Sequence, residues 1–121
     1  MGCDIHCVLQ GKKGESWETL MYDVFPGRNY EFFSWLAGVR GQDEGIGNKD
    51  FPDDFNCKID SDGVRYHNGV YIGEHSFGHV YADVFMNAFS PRSIRPYRDG
   101  LRLFLGDFEA HNFRIVYGFD S

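Results

Sequence analysis

The chain begins Met1-Gly2-Cys3-Asp4-Ile5-His6-Cys7-Val8-Leu9-Gln10, a stretch that opens with alternating apolar and polar residues. Alternation predicts a β-strand, because successive side chains of a strand point to opposite faces of the sheet. We therefore expect a strand over residues 3–10 with Asp4 and His6 together on one face. The opposite face would pack into the core through Cys3, Ile5, Cys7 and Leu9. A carboxylate and an imidazole would then stand side by side outside the core.

Two helices are predicted in the middle of the chain. Asn29 is a favourable N-cap for a helix over residues 30–40, and Gly41 suits the left-handed cap at its C-terminal end. Ser76 is a second favourable N-cap. It precedes apolar residues at helical spacing, which predict a helix over residues 77–88.

Most of the remaining elements are predicted to be short strands. The run Gly11-Lys12-Lys13-Gly14 predicts a hairpin turn into a second strand over residues 16–22. The pair Asn68-Gly69 predicts another hairpin, because both residues tolerate the positive φ of a tight turn. Further strands are expected over residues 101–105 and 113–119.

These elements predict a single α+β domain over residues 1–121. Its economical packing is a mainly antiparallel sheet with about two helices on one face. The last strand can pair with the first, and in that arrangement Asp120 comes close to Asp4 and His6. The sequence therefore predicts a polar site where the two ends of the chain meet.

Composition limits the classes of partner. Eighteen acidic and twelve basic residues give a net charge of −6, which opposes general binding to nucleic acid or to an anionic membrane. Cys3 and Cys7 are too far apart on an extended strand to form a disulfide, so we expect reduced thiols. A Cys3 nucleophile is disfavoured because buried thiols are inert. With no membrane-length apolar run and no signal peptide, we expect a cytoplasmic protein.

The histidines suggest a metal site. His75 would precede the second predicted helix and His79 would lie one turn further on, so both could face the same point. Together with Asp4 and His6 they would form a nitrogen and oxygen ligand set suited to zinc or manganese. The alternative is that Ser76 only caps the helix and His79 lies on its solvated surface.

A second group of residues suits an anion. Arg28 would lie just outside the N-terminus of the first helix, where backbone N–H groups and the helix dipole favour negative charge. Asn29 and Tyr30 follow directly, and Arg40 lies at the end of the same predicted helix. An equally concrete alternative is that Asn29 only caps the helix while Arg28 pairs with an acid of Pro52-Asp53-Asp54. If Arg28 does not pair with Asp54, we expect Asp54 to supply a carboxylate to the site.

The chain also resembles a family of small phage and bacterial proteins that begin Met-Gly-Cys-Asp-Ile-His. The likeness extends over most of the chain in the same order. It is found in Met1–His6, in Arg28-Asn29-Tyr30-x-x-Phe33-x-x-Leu36-Ala37-Gly38-Val39-Arg40-Gly41, in Pro52-Asp53-Asp54, in His75-Ser76 and in Phe113–Asp120. This chain departs from the family at Gln10, where Glu is expected, and after Ser76, where a second serine is usual.

The resemblance implies a phage-type accessory protein that acts in the cytoplasm of an infected bacterium, and it implies no particular reaction. Its motif positions are mostly polar groups, as in an anion-binding pocket with acid and base groups. Those positions are Asp4, His6, Arg28, Asn29, Arg40, Asp53, Asp54, His75 and Ser76.

Two classes of function follow from these residues. In the first, an enzyme hydrolyses a phosphorylated, nucleotide-like small molecule, and Asp4, His6 and His75 are the catalytic residues that activate water directly or through a divalent metal. The expected ligand-binding groups surround them. They are Arg28, Asn29, Tyr30, Arg40, Asp54, Ser76 and Asp120.

In the second class the protein has no catalytic activity and sequesters a nucleotide-derived defence signal. The same Arg and His groups would hold the ligand, and Tyr30 or Trp35 would stack on its base. Tight sequestration favours a closed pocket and a homo-oligomer. A third interpretation, docking of a host protein on an aromatic-rich surface, is left open.

Overall fold

A five-stranded antiparallel sheet forms the centre of the computed structural model, which describes residues 2–120. The strands of this part of the chain are β1 (Ile5–Lys13), β2 (Ser16–Tyr22), β3 (Asn48–Lys49), β4 (Lys58–Ile59), β5 (Arg65–His67), β6 (Val70–Tyr71), β7 (His75–Tyr81) and β8 (Phe113–Phe119). The large sheet has the order β2-β1-β8-β7-β3, and a small sheet has the order β4-β5-β6. The predicted α+β class with mainly antiparallel strands is confirmed.

β1 and β8 are neighbours near the centre of the large sheet. Their register runs from Ile5 opposite Phe119 to Gly11 opposite Phe113, which confirms the predicted pairing of the last strand with the first. The predicted apolar face of β1 is also confirmed. Its side chains are buried in the main core, and they are Cys3, Ile5, Cys7 and Leu9.

The two predicted hairpins are present, with one shift. The strand predicted over residues 16–22 coincides with β2, but β1 continues to Lys13, so the turn occupies residues 14–15. Asn68 and Gly69 join β5 to β6 with φ angles of 51° and 81°. These positive values are the reason that this residue pair favours a tight hairpin turn.

Three α-helices cover one face of the large sheet, one more than predicted. They are α1 (Tyr30–Ala37), α2 (Ala82–Asn87) and α3 (Arg95–Leu105). Aromatic rings join them: Phe32 of α1 stacks on Tyr97 of α3 with centroids 4.2 Å apart, and Phe85 of α2 lies 5.4 Å from Trp35 of α1. Within residues 2–120, none of these helices has the length and apolar character needed to cross a bilayer.

The small sheet and the loop before it cover part of the opposite face. A second apolar cluster forms there, in which Val8 and Val116 of the large sheet meet Phe55 and Ile72. The middle of β1 is therefore buried on both faces. At the start of the strand a polar face stays partly exposed, and it carries His6 together with Asp4, which directly precedes the strand.

Helix α1 begins as predicted and ends early. The Asn29 side-chain oxygen accepts a hydrogen bond from the Phe32 N–H at 3.0 Å, so Asn29 is the N-cap. The predicted C-terminal cap at Gly41 is wrong, because the helix ends at Ala37 and Gly38 adopts the left-handed conformation with φ of 72°. A glycine reaches this conformation without the steric cost of a Cβ atom.

The helix predicted over residues 77–88 is wrong in its first half. Residues His75–Tyr81 form β7, in which buried Gly78 and Val80 alternate with partly exposed neighbours at the period of a strand. Pairing with β8 and β3 outweighs the helical spacing of the apolar residues. Ser76 therefore caps no helix. It has a φ of 54° at an irregularity in the register between His75 and Gly78.

The strand predicted over residues 101–105 is wrong as well. This segment is the second half of α3, which has Pro96 in its first turn, a position where a missing N–H costs no helical hydrogen bond. Leu101 and Leu105 are buried on one side of the helix, whereas Leu103 is exposed. The alternation of leucines thus resembled a strand, but the buried pair is spaced by one helical turn.

Candidate functional site

The chemistry-bearing residues of the candidate site lie where three neighbouring strands meet. Asp4 directly precedes β1, Asp120 directly follows β8, and His75 is the first residue of β7. Since the three strands are adjacent and antiparallel, these positions come together at one edge of the sheet. We call this place the Asp120 site and define it by Asp4, His6, Arg28, His75, Ser76 and Asp120.

Asp120 connects the other members of the site. One carboxylate oxygen, Oδ1, accepts a hydrogen bond from the Asp4 backbone N–H at 2.9 Å, and the other, Oδ2, accepts from His6 Nε2 at 2.7 Å. The backbone carbonyl of Asp120 accepts from His75 Nε2 at 3.2 Å. The predicted proximity of Asp120 to Asp4 and His6 is confirmed, and His75 joins them.

The hydrogen bond to Asp120 fixes the chemistry of the His6 ring. Because a carboxylate only accepts, Nε2 carries the proton in the neutral ring and Nδ1 keeps a lone pair. The His6 side chain is 23% exposed, so a small ligand or a water molecule can reach it. Tyr71 packs edge-on against the ring with centroids 4.8 Å apart. Burial, together with the negative charges of Glu74 and Asp120, raises the pKa of Tyr71 to about 12.

Asp4 forms an ion pair with Arg28. Arg28 donates from Nε to Asp4 Oδ1 at 2.6 Å and from Nη2 to Oδ2 at 3.1 Å, a two-point contact. The hydrogen bond from Arg28 lowers the pKa of Asp4 and keeps its carboxylate ionised. Gly2 makes room for the guanidinium, since a Cβ atom at this position would lie 1.8 Å from Arg28 Nη1. The alternative pairing of Arg28 with Asp53 or Asp54 is not formed.

Tyr30 links this site to the start of α1. Its hydroxyl accepts a hydrogen bond from the Cys3 N–H at 3.3 Å, and the Arg40 guanidinium lies 5.3 Å from the centre of its ring. Cys3 is fully buried, and burial raises the pKa of its thiol, which disfavours a thiolate nucleophile. Trp35, the second ring considered for stacking on a base, is buried in the helical core and donates to the Phe89 carbonyl.

His75 and Ser76 form a second hydrogen-bonded unit at the site. Ser76 Oγ lies 2.9 Å from His75 Nδ1, and the serine is exposed. Since His75 Nε2 donates to the Asp120 carbonyl, Nδ1 is the acceptor and the serine hydroxyl is the donor. The irregular backbone at Ser76 brings its hydroxyl back onto the neighbouring ring.

The remaining predicted residues lie elsewhere. His79 is opposite Val116 in the middle of the sheet, where its Nδ1 donates to the Asp50 carbonyl at 2.8 Å. Asp54 accepts from Arg114 at 2.7 Å. The predicted ligand set of Asp4, His6, His75 and His79 is thus not assembled, because β7 is a strand and not a helix. Across residues 2–120, no group of three or more His, Cys, Asp or Glu side chains is arranged to hold a metal ion.

A second polar cluster was not predicted from the sequence. It is a chain of hydrogen bonds across the large sheet: Arg114 Nε donates to Gln10 at 2.8 Å, Gln10 donates to Thr19 at 3.2 Å, and Thr19 donates to His67 Nε2 at 2.7 Å. His67 Nδ1 in turn donates to the Asn56 carbonyl. The available signal was Arg114, a charged residue between Phe113 and Ile115, together with Gln10 at the end of the first predicted strand.

Comparisons of the chain with protein-family models, with curated proteins and with solved structures give no match. A function for the protein is therefore inferred from the geometry and chemistry of its own residues.

Proposed function

We propose that the protein hydrolyses a phosphorylated, nucleotide-like small molecule at the Asp120 site by general acid–base catalysis. The observation on which this proposal depends is the hydrogen bond of 2.7 Å between His6 Nε2 and Asp120 Oδ2. A carboxylate that orients an imidazole, with the second ring nitrogen left to act on a proton, is the arrangement of a general base.

His6 acts as the base in this mechanism. Its Nδ1 takes a proton from a water molecule as the water oxygen attacks the phosphorus atom, and the Asp120 carboxylate stabilises the imidazolium that forms. For the acid step a His75 ring that carries protons on both nitrogens gives the Nδ1 proton to the oxygen of the leaving group, which takes the place of Ser76 Oγ at this nitrogen. Both rings bond to Asp120, which sets their relative positions.

Asp4 has a positioning role in this mechanism. A proton donor needs a raised pKa, whereas the pKa of Asp4 is lowered by the hydrogen bond from Arg28. Its carboxylate holds Nε and Nη2 of Arg28 in place, so that the Nη1 donors remain for a phosphate oxygen. The Tyr30 ring, which is 38% exposed, lies beside the site through its hydrogen bond with Cys3, and with the Arg40 guanidinium against it the ring suits a charged ligand with a planar base.

A metal-independent reaction fits these residues better than the metal-assisted form. Zinc or manganese would need ligands that converge on one point, and the predicted ligand His79 lies at a different part of the sheet. Proton transfer through His6 and His75 requires no such convergence. The phage-type setting in a bacterial cytoplasm remains part of the proposal through the family resemblance.

Sequestration without turnover is the second candidate function. It is favoured by the Arg40 and Tyr30 pair, in which the cation can hold a phosphate and the aromatic ring a neutral base without any reaction. A binding protein would use Arg28, Arg40 and Tyr30, and would not require His6 to exchange a proton.

A ligand-fate assay distinguishes the two functions. Purified protein is mixed with cyclic dinucleotides and ADP-ribose derivatives, with added divalent metal or with chelator, then heat-denatured, and the small molecules are measured by mass spectrometry. A cleaved product in the presence of chelator supports the hydrolase. Loss of a compound from free solution followed by its intact recovery after heating supports sequestration and rejects the hydrolase. If every compound stays free and whole, both functions are rejected for this ligand class.

A further inference from the structure

We propose that the cleft between strand β2 and helix α3 is a second ligand site, which binds an organic ammonium ion with an apolar body. The cleft has a volume of about 610 Å³ and is here called the Asp23 cleft. The hairpin of β1 and β2 forms one wall, α3 forms the other, and residues 24–26 complete the lining. In the part of the chain that the structure describes, no residue lines both this cleft and the Asp120 site.

The strand wall is set by the pairing of β1 with β2. Leu9 is opposite Met21 in this register, and two residues further on the Asp23 N–H donates to the Cys7 carbonyl at 2.8 Å. Residues directly opposite each other in a sheet share a face, and Leu9 and Cys7 point into the main core beneath the helices. Met21 therefore faces α3, and Asp23 continues the same wall.

The helix wall consists of one face of α3. Tyr97, Gly100, Leu101 and Phe104 line the cleft at positions i, i+3, i+4 and i+7 of the helix. A glycine inside a helix is less favourable than alanine, yet neither a positive φ nor a close neighbour requires glycine at position 100. No atom lies within 4 Å of a Cβ atom built there. The missing side chain keeps space open in the middle of the wall, where a ligand can lie.

The lining of the cleft is mainly apolar, and it reaches from the surface to the core. Met21 is 44% exposed and Phe104 is 47% exposed, whereas Leu9 and Phe25 are buried members of the main core. Ligand sites are typically apolar clefts of roughly 300–1,000 Å³ in which a few polar groups orient the ligand. The apolar body of a ligand in this cleft would remove the Met21 and Phe104 side chains from water.

Asp23 determines the charge of the ligand. Among the described residues that line the cleft, it alone is charged at neutral pH. Its carboxylate forms no ion pair within residues 2–120, and Oδ1 accepts a long hydrogen bond of 3.4 Å from the Cys7 N–H. An ammonium group beside Asp23 would gain an ionic partner, while a carboxylate or phosphate would be repelled. The net charge of −6 adds to this preference for a cation.

Three compounds with the same ring system test the preference for a cation. They are 1-naphthylmethylamine, a cation at neutral pH, the neutral 1-naphthalenemethanol and the anion 1-naphthoate. Each is titrated into the methyl-labelled full-length protein while the methionine methyl resonances are followed by NMR. Met21 lines the cleft, and Met86 of α2 lies outside its wall and is the internal control.

We expect a saturable shift of the Met21 resonance, with the amine bound several-fold more tightly than the alcohol and the naphthoate bound most weakly. If no compound shifts this resonance in a saturable way, the proposal is wrong. It is also wrong if the amine binds no more tightly than either of the other two compounds.

Asp23→Asn tests the assigned ionic partner. Asparagine tolerates the φ of 53° at this position, so the backbone is retained. We expect the affinity for the amine to fall to that for the alcohol, and the affinity for the alcohol to stay the same. The matched control is Asp62→Asn, since Asp62 is exposed in the turn between β4 and β5 and is not part of the cleft wall. Equal affinity for the amine in the two variants would overturn the assignment.

Gly100→Leu tests the position of the ligand. Leucine favours the helix, and its side chain would fill the open space in the middle of the cleft. We expect this variant to lose binding of all three compounds, and undiminished binding would overturn the proposal. His6→Ala, which removes the proposed base of the hydrolase, should leave binding of the amine unchanged.

Discussion

His6 Nε2 and Asp120 Oδ2 lie 2.7 Å apart although their residues are 114 positions apart in the sequence. The contact depends on the pairing of β1 with β8, which places Ile5 opposite Phe119 and His6 opposite Gly118. A shift of one residue in this register would turn His6 to the other face of the sheet. The candidate site therefore forms only when the centre of the sheet is correctly assembled.

The His6 ring is tested first by substitution. His6→Ala removes the proposed base, and we expect the hydrolysis rate to fall by about 10²–10⁴-fold. The matched control is His111→Ala, because His111 is 62% exposed and its charged partner is Glu109, outside the site. Mass spectrometry of the product gives the rate. Equal rates in the two variants would exclude His6 as a catalytic residue.

Gly2→Ala should separate Arg28 from Asp4. The new Cβ atom would lie 1.8 Å from Arg28 Nη1, so the guanidinium has to move. Since the hydrogen bond from Arg28 is the main cause of the lowered pKa of Asp4, that pKa should rise toward its ordinary value. Carboxyl NMR titration measures the change. Arg28→Gln should produce the same rise, and a pKa of Asp4 that is unchanged in both variants would contradict this account.

The raised pKa of Tyr71 predicts that the folded protein loses stability at high pH. Its pKa of about 12 in the folded protein exceeds the ordinary value of about 10, so the unfolded chain loses its proton first as the pH rises. The stabilising contribution is complete below pH ~10 and decreases as the pH rises from ~10 to ~12. Tyr71→Phe should lack this component in urea unfolding measured on both sides of pH ~10. An equal decline in the variant and the parent protein would refute the assignment.

Gly118→Ala tests the close packing behind the site. A Cβ atom at this position would lie 2.2 Å from the Ile72 carbonyl oxygen, a backbone atom that cannot easily move. We expect the free energy of unfolding to fall by about 1–3 kcal/mol, as for other overpacked positions. Gly100→Ala is the control, because no atom lies within 4 Å of its new Cβ and it is inside helix α3. Urea denaturation should show that control unchanged or stabilised by up to about 1 kcal/mol.

The parts of the fold that could be predicted are those with a local signal. The start of β1 alternates cleanly, and Asn29 and Asn68-Gly69 have conformational preferences that tertiary contacts do not override. The helix prediction is wrong for residues 77–81 because their apolar spacing also fits a helix, and pairing with β8 and β3 selects the strand. That pairing is a long-range contact, and the sequence of the segment itself carries no signal for it.

The same distinction applies to the sites. The contact between His6 and Asp120 could be predicted from the sequence. His6 lies in the first strand, Asp120 directly follows the last strand, and the sequence predicts that these two strands pair. The contact of Arg28 with Asp4 depends on the path of an irregular loop, which no periodicity specifies. The buried position of Arg114 depends on side chains from three other segments, so it could not be read from its own strand.

The place of Trp17 over the Arg114 guanidinium gives the protein a built-in optical reporter. The chain has two tryptophans, and the other, Trp35, is enclosed among the aromatic rings of the helical core. Emission from Trp35 should follow unfolding, whereas emission from Trp17 should respond to the charge and polarity around the guanidinium. With each tryptophan in turn replaced by phenylalanine, one fluorescence instrument can record global melting and local changes around the Arg114 guanidinium as separate signals from the unlabelled chain.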